Sequence, residues 1–205
     1  MERFPAKLLD KVMSARDAAA LIGPGSVIGC SGFTLVGYPK AVPQAVAALG
    51  QARDLTLLTG ASVGDELDGE LVRAGLVSRR FPYQTNTSMR EAINAGRVCY
   101  ADQHLSHTPA VLNQGVGPKL DTAIIECAAI TEEGLIPAAA VGASDSYVRC
   151  AGQVIVELNA GLPLELCGMH DIYSPTVSGG PIPLTSVMDR IGTRYIPCPM
   201  RVPVH

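Results

Sequence analysis

Thr59-Gly60-Ala61-Ser62-Val63-Gly64 sets a serine between two glycines directly behind an apolar run. G-x-S-x-G at a strand-to-helix turn is the pattern of a nucleophile elbow, in which a sharp turn exposes the hydroxyl. A serine nucleophile also needs a histidine base and an acid to orient it. His104, His107 and His170, with Asp102, Asp145 or Asp171, could supply them, although no HGGG-type oxyanion loop accompanies the motif. The same residues equally make a plain Gly/Ser turn whose hydroxyl donates one hydrogen bond, and both readings stay open here.

Two other stretches have the composition of binding loops. Ser31-Gly32-Phe33-Thr34 puts a glycine among hydroxyl residues, where backbone can come close to a ligand or simply turn. Arg79 to Ser88, RRFPYQTNTS, runs into a helix start whose free N–H groups would suit a carboxylate or phosphate, or need only a cap. Glu126 and Glu157 each end an apolar run, where a carboxylate must be paired. Either could act as a base, but hydrogen bonding to a neighbouring loop is the commoner role. The histidines lack paired ligand spacing, so no metal is expected, and neither G-x-G-x-x-G nor Walker A occurs.

The elements that must carry these residues alternate regularly. Val27 to Cys30, Leu55 to Leu58, Val98 to Tyr100, Ala123 to Glu126 and Val154 to Glu157 are short apolar runs without in/out alternation, as in strands buried on both faces. Ala15, Ala18, Ala19 and Ile22, then Val42, Ala45, Val46 and Leu49, recur at helical spacing. Ser88 with Glu91 reads as a capping box, Thr108-Pro109 as a helix start, and Gly50, Gly75, Gly96 and Gly115 as helix ends. Strand–helix–strand order predicts an α/β fold, a doubly wound, mostly parallel open sheet flanked by helices. ITEEGLIPAAAV, turning at Glu132 to Gly134, predicts one antiparallel hairpin. Residues 1–160 form this domain in the sequence reading, and the Pro/Gly-rich 161–205 an extended connector arm.

Composition narrows the function. Of 205 residues, 47% are hydrophobic and 17% charged, with a net charge of −3, which fits a globular chain and offers no positive field for nucleic acid. No long apolar run suggests a membrane span or secretion signal, and six scattered cysteines, three of them in strand-like runs, read as buried free thiols of a cytoplasmic protein.

SGFT followed by GYPKAVP, then LLTGAS, FPYQTNTSMR, INAG, DQHLS, AIIECAAITEEG, QVIVELN, HDIY and DRIGTRYIP, resembles the acetyl-CoA hydrolase/acetate CoA-transferase family in order and over nearly the whole chain. The resemblance is to the N-terminal half of these class I CoA-transferases. It implies a homo-oligomeric enzyme, with acyl-CoA and a small carboxylate such as acetate or succinate as partners, and coenzyme A as substrate rather than cofactor. It also implies a catalytic glutamate in a C-terminal half beyond His205. Within this chain it implies a substrate-binding role for Ser62, Thr85, Gly32 and Phe33, with Ser62 as hydrogen-bond donor. Gly142-Ala143-Ser144 departs from the family's usual Gly-Asn-Ser. A non-catalytic binding domain is the third reading.

Overall fold

The computed structural model describes residues 3–173 and 183–198; parts of the expected arm, 174–182 and 199–205, lie outside the described residues. Eight strands form one sheet: β1 (Val27–Cys30), β2 (Leu55–Thr59), β3 (Val77–Phe81), β4 (Cys99–Tyr100), β5 (Thr122–Ile130), β6 (Gly134–Pro137), β7 (Gln153–Leu158) and β8 (Ile196–Pro197). Their order is β4-β3-β2-β1-β5-β6-β8, with β7 also paired to β5. β1 to β5 and β7 pair in parallel, whereas β6 runs antiparallel to β5 and β8. The expected doubly wound sheet with its hairpin is therefore present.

β5 dominates because all nine of its residues are buried. In its first half side chains alternate between two cores, as the twofold period of a strand requires, and Ala128 and Ala129 pack in a third, smaller cluster with Ile136 and Leu166. Ile124 faces the core shared with Ile28, Leu57, Val46 and Leu71, and Ile125 faces the core shared with Leu112, Tyr147 and Val154. The first core is covered by α1 (Ala15–Ala19), α2 (Ala41–Leu49), α3 (Glu70–Arg73) and α4 (Thr87–Asn94), and the second by α5 (His107–Asn113) and α6 (Ser144–Cys150). α2 closes at Gly50, whose left-handed φ of 61° lets its N–H reach the Val46 carbonyl. Gly75, Gly96 and Gly115 also take positive φ, as their positions after helices predict.

Several local expectations need correction. β3 is absent from the apolar runs because Ser78, Arg79 and Arg80 interrupt it. The Val98–Tyr100 run gives only a two-residue edge strand with both residues exposed, and Cys99 is not a buried thiol. β7 is half-buried from Val156 onward, since its only strand partner among the described residues is β5. The cap of α4 is Asn86, whose side chain accepts from Met89 N at 3.0 Å. Ser88 lies inside that helix and accepts from Arg73 at 3.1 Å instead. The residue range expected to be an arm adds β8 to the sheet and buries Ile172 and Ile196 in the second core.

Candidate functional site

Cys30 and Thr59 are opposite one another in register, so the loops after β1 and β2 leave the sheet side by side at its carboxyl edge. Backbone joins them: Thr34 N donates to Ala61 O at 2.9 Å and Val63 N to Thr34 O at 3.0 Å. A third loop, before α6, closes on both. A Cβ on Gly142 would lie 2.6 Å from Gly32 O, and one on Gly60 would lie 3.0 Å from Gly32 O and from Ala143 N. These contacts leave no volume for side chains at Gly32, Gly60 and Gly142.

Gly32, with φ of 104°, also abuts Tyr38 N, which would stand 2.7 Å from an added Cβ. The close approach read from its sequence is thus made by the chain itself. Phe33 and Val36 exchange backbone hydrogen bonds in a tight hairpin, and Phe33 is 47% exposed. Thr85 is exposed, and its carbonyl accepts from Arg90 at 2.9 Å.

Ser62 is fully buried, and among the described residues its Oγ has no hydrogen-bond partner. An orphaned buried hydroxyl costs about 1–3 kcal/mol of lost solvation, so it demands an explanation. Among the described residues no imidazole meets it, so none of them activates it as a nucleophile. His104 Nδ1 instead pairs with Ser106 Oγ at 2.7 Å, and its ring packs 5.5 Å from that of His107. The three candidate acids are engaged too: Asp102 with Tyr83 N, Asp145 with Arg149, and Asp171 with Ile191 N and Gly192 N. The left-handed residue of the turn is Ala61, with φ of 71°, rather than the serine.

Glu126, which lies in the middle of β5 and not at its end, and Glu157, one residue before the end of β7, both hold the Gly37–Lys40 loop. Glu126 Oε1 accepts from Lys40 Nζ at 3.0 Å and Asn159 Nδ2 at 2.9 Å. Glu157 accepts from Lys40 N at 2.7 Å and Val42 N at 3.0 Å, and so caps α2. Neighbouring Tyr38 donates to Glu66 at 2.6 Å. Burial and that acceptor push the Tyr38 phenol up, while the phenol's hydrogen bond holds the Glu66 carboxyl down. Burial likewise raises the Cys30 and Cys127 thiols, which opposes thiolate chemistry. Among the described residues no group of three or more His, Cys, Asp or Glu could hold a metal ion, and no helix is long and apolar enough to cross a membrane.

Sequence reasoning included Arg80 only as part of the Arg79–Ser88 stretch, and it missed Asp68 and the pairing of the two. Both are fully buried and paired at 2.6 Å, beneath the loops that carry Ser62 and Thr85. Burial pushes the Asp68 carboxyl up and the adjacent guanidinium opposes that rise. Two arginines in a row, of which only one can face outward in a strand, were the available signal.

Residues 2–204 match the family described as acetyl-CoA hydrolase/transferase N-terminal domain. A succinyl-CoA:acetate CoA-transferase of Clostridium kluyveri is 48% identical, over 94% of this chain and 37% of the relative. An acetyl-CoA hydrolase of Yarrowia lipolytica is 39% identical, over 92% and 40%. A propanoyl-CoA:succinate CoA transferase of Escherichia coli is 36% identical, over 90% and 39%. The chain spans about two fifths of the length of these curated relatives. Among solved structures, glutaconate coenzyme A-transferase from Acidaminococcus fermentans shares the fold with a TM-score of 0.55 at 19% identity, over 71% of this chain and 66% of that one. A variant of the decarboxylase AibA/AibB gives 0.55 at 17%, over 80% of each chain.

Proposed function

The chain belongs to the acetyl-CoA hydrolase/transferase family, and from that premise we propose that it is the substrate-side domain of a cytoplasmic, oligomeric enzyme that moves CoA from an acyl-CoA to a small carboxylate such as acetate or succinate. The unpartnered Ser62 hydroxyl carries this reading. It lies at the carboxyl edge of a parallel sheet, where three loops converge, and it lacks a base, which suits a donor to substrate oxygen better than a nucleophile.

The reaction is a double displacement. A glutamate carboxylate from the part of the relatives that this chain does not span attacks the thioester carbonyl, and CoA leaves as thiolate. The thiolate then attacks the glutamyl carbonyl of the resulting mixed anhydride, which releases the first carboxylate and leaves a glutamyl-CoA thioester. An acceptor carboxylate reverses both steps, and water as acceptor gives hydrolysis. Ser62, with Thr85 at the neighbouring loop, would hold the carboxylate while charge moves between oxygens, and Gly32 and Phe33 would line its floor.

The test compares two proteins. Residues 1–205 alone should not exchange CoA between succinyl-CoA and acetate. The same residues joined to the remaining part of the Clostridium kluyveri relative should do so, through an enzyme–CoA adduct sensitive to borohydride. Robust turnover by the chain alone would require a nucleophile within it and would end this reading.

A further inference from the structure

Arg80 sits on β3 with no solvent exposure, and every N–H of its guanidinium is used. Nε and Nη2 donate to the Asp68 carboxylate at 2.6 and 3.4 Å. Nη1 donates to the carbonyls of Phe81 and Pro82, both at 2.7 Å, and Nη2 to the carbonyl of Ser62 at 2.8 Å. One rigid fork therefore grips the backbone of two segments: the loop after β2 at Ser62 itself, and the start of the loop after β3 three residues before Thr85. Asp68 anchors the fork from the π-helical turn Asp65–Gly69 that follows the first loop.

We infer that Arg80 is the positioning residue of the carboxylate subsite, fixing the Ser62 loop and the Phe81–Thr85 loop at one separation. This inference rests on the transferase reading for its substrate but not for its geometry. A buried ion pair is often replaceable by apolar residues without loss of stability, so the pair need not be kept for stability alone. Its three carbonyl contacts are what an apolar pair cannot reproduce. Lysine cannot either, having three donors at a single point in place of a planar fork.

Two variants separate positioning from stability: Arg80→Lys, and Asp68→Leu combined with Arg80→Met, which removes both charges and so leaves no unpaired buried ion to oppose folding. Amide hydrogen exchange on the 205-residue chain is the first measurement. Peptides covering residues 60–64 and 81–86 should exchange about tenfold faster in either folded variant, while β5 keeps its protection. Unchanged loops would overturn the inference, and loosening of β5 to the same extent would reduce Arg80 to a general structural role.

Kinetics of the joined enzyme give the second measurement. The apparent KM for acetate should rise about tenfold, with that for succinyl-CoA changed less than about threefold, because most contacts of the latter are to its CoA moiety. Equal rises for both substrates would overturn the assignment to the carboxylate subsite. A joined enzyme inactive with Arg80 intact would remove the transferase reading, and the exchange experiment would still decide whether Arg80 holds the two loops.

Discussion

Lys40 holds Glu126 from across the fold: its Nζ lies 3.0 Å from Oε1 of a carboxylate that is only 3% exposed. The lysine is itself 37% exposed, so water shares in stabilising its charge, whereas the glutamate depends on Lys40 and Asn159. Lys40 also fixes the Gly37–Lys40 loop, since its Nζ donates to Tyr38 O at 2.8 Å.

Lys40→Met should therefore cost more than a surface ion pair and less than a fully buried one, about 1–3 kcal/mol. Urea unfolding at neutral pH checks it. Glu126→Gln should cost less, because the amide still accepts from Asn159 and leaves no buried anion. A larger loss for Glu126→Gln than for Lys40→Met would contradict this assignment of the stranded charge.

Gly142→Ala and Gly50→Ala make a matched pair. Both glycines have positive φ, 56° and 61°, but a Cβ at Gly142 meets Gly32 O at 2.6 Å and one at Gly50 meets nothing within 4 Å. Gly50→Ala should lose only the left-handed penalty of about 1 kcal/mol. Gly142→Ala should lose about 1–3 kcal/mol more, because the loops after β1 and before α6 must part. Thermal unfolding of the two variants measures the difference, and equal losses would mean that the loops separate freely.

How far such features can be read in advance depends on how local their cause is. β5 and β2 announce themselves because a strand buried on both faces must be largely apolar, and the helix-ending glycines do so because αL backbone excludes most side chains. β3 stays hidden, since Arg80 is tolerated there only by virtue of Asp68, whose position no local pattern specifies. Lys40 and Glu126 are 86 residues apart, so their pairing has no local trace either. Ser62 is found by its motif, but the motif cannot say whether an imidazole approaches its Oγ. At Gly32 the sequence suggests room for a ligand's approach, whereas in the fold the close neighbour is the backbone of Tyr38, which no local pattern specifies.

Asp65 gives a pH test. Hydrogen bonds from Arg73 and Asn86 hold its carboxyl below the usual range, and they tie the turn before α3 to the cap of α4. A carboxyl whose folded pKa is depressed stabilises the protein above its unfolded pKa, near 3.9, and loses that contribution as pH falls through the folded value. Asp65 is largely solvent-exposed, so the contribution is screened to less than about 1 kcal/mol. Asp65→Asn should melt slightly below the parent at pH 7, and the difference should shrink and vanish as pH falls through the depressed folded value. A gap that widened on acidification would reverse the sign and refute the assignment.

Ser62→Ala separates folding from chemistry most directly. Ser62 Oγ makes no hydrogen bond among the described residues, so removing it should leave the melting temperature unchanged or slightly raised; a drop of several degrees would mean that the hydroxyl has a structural partner. In the joined enzyme the same change should weaken transition-state binding by about 1–3 kcal/mol, the worth of one hydrogen bond to a charged oxygen, and leave measurable transfer. A nucleophile behaves otherwise: its removal abolishes turnover, and its hydroxyl reacts with a fluorophosphonate. The parent chain should not be labelled at Ser62, because neither His104, His107 nor His170 is placed to take its proton. Labelling at Ser62, or complete loss of transfer in a correctly folded Ser62→Ala enzyme, would restore the serine-hydrolase reading of the G-x-S-x-G turn.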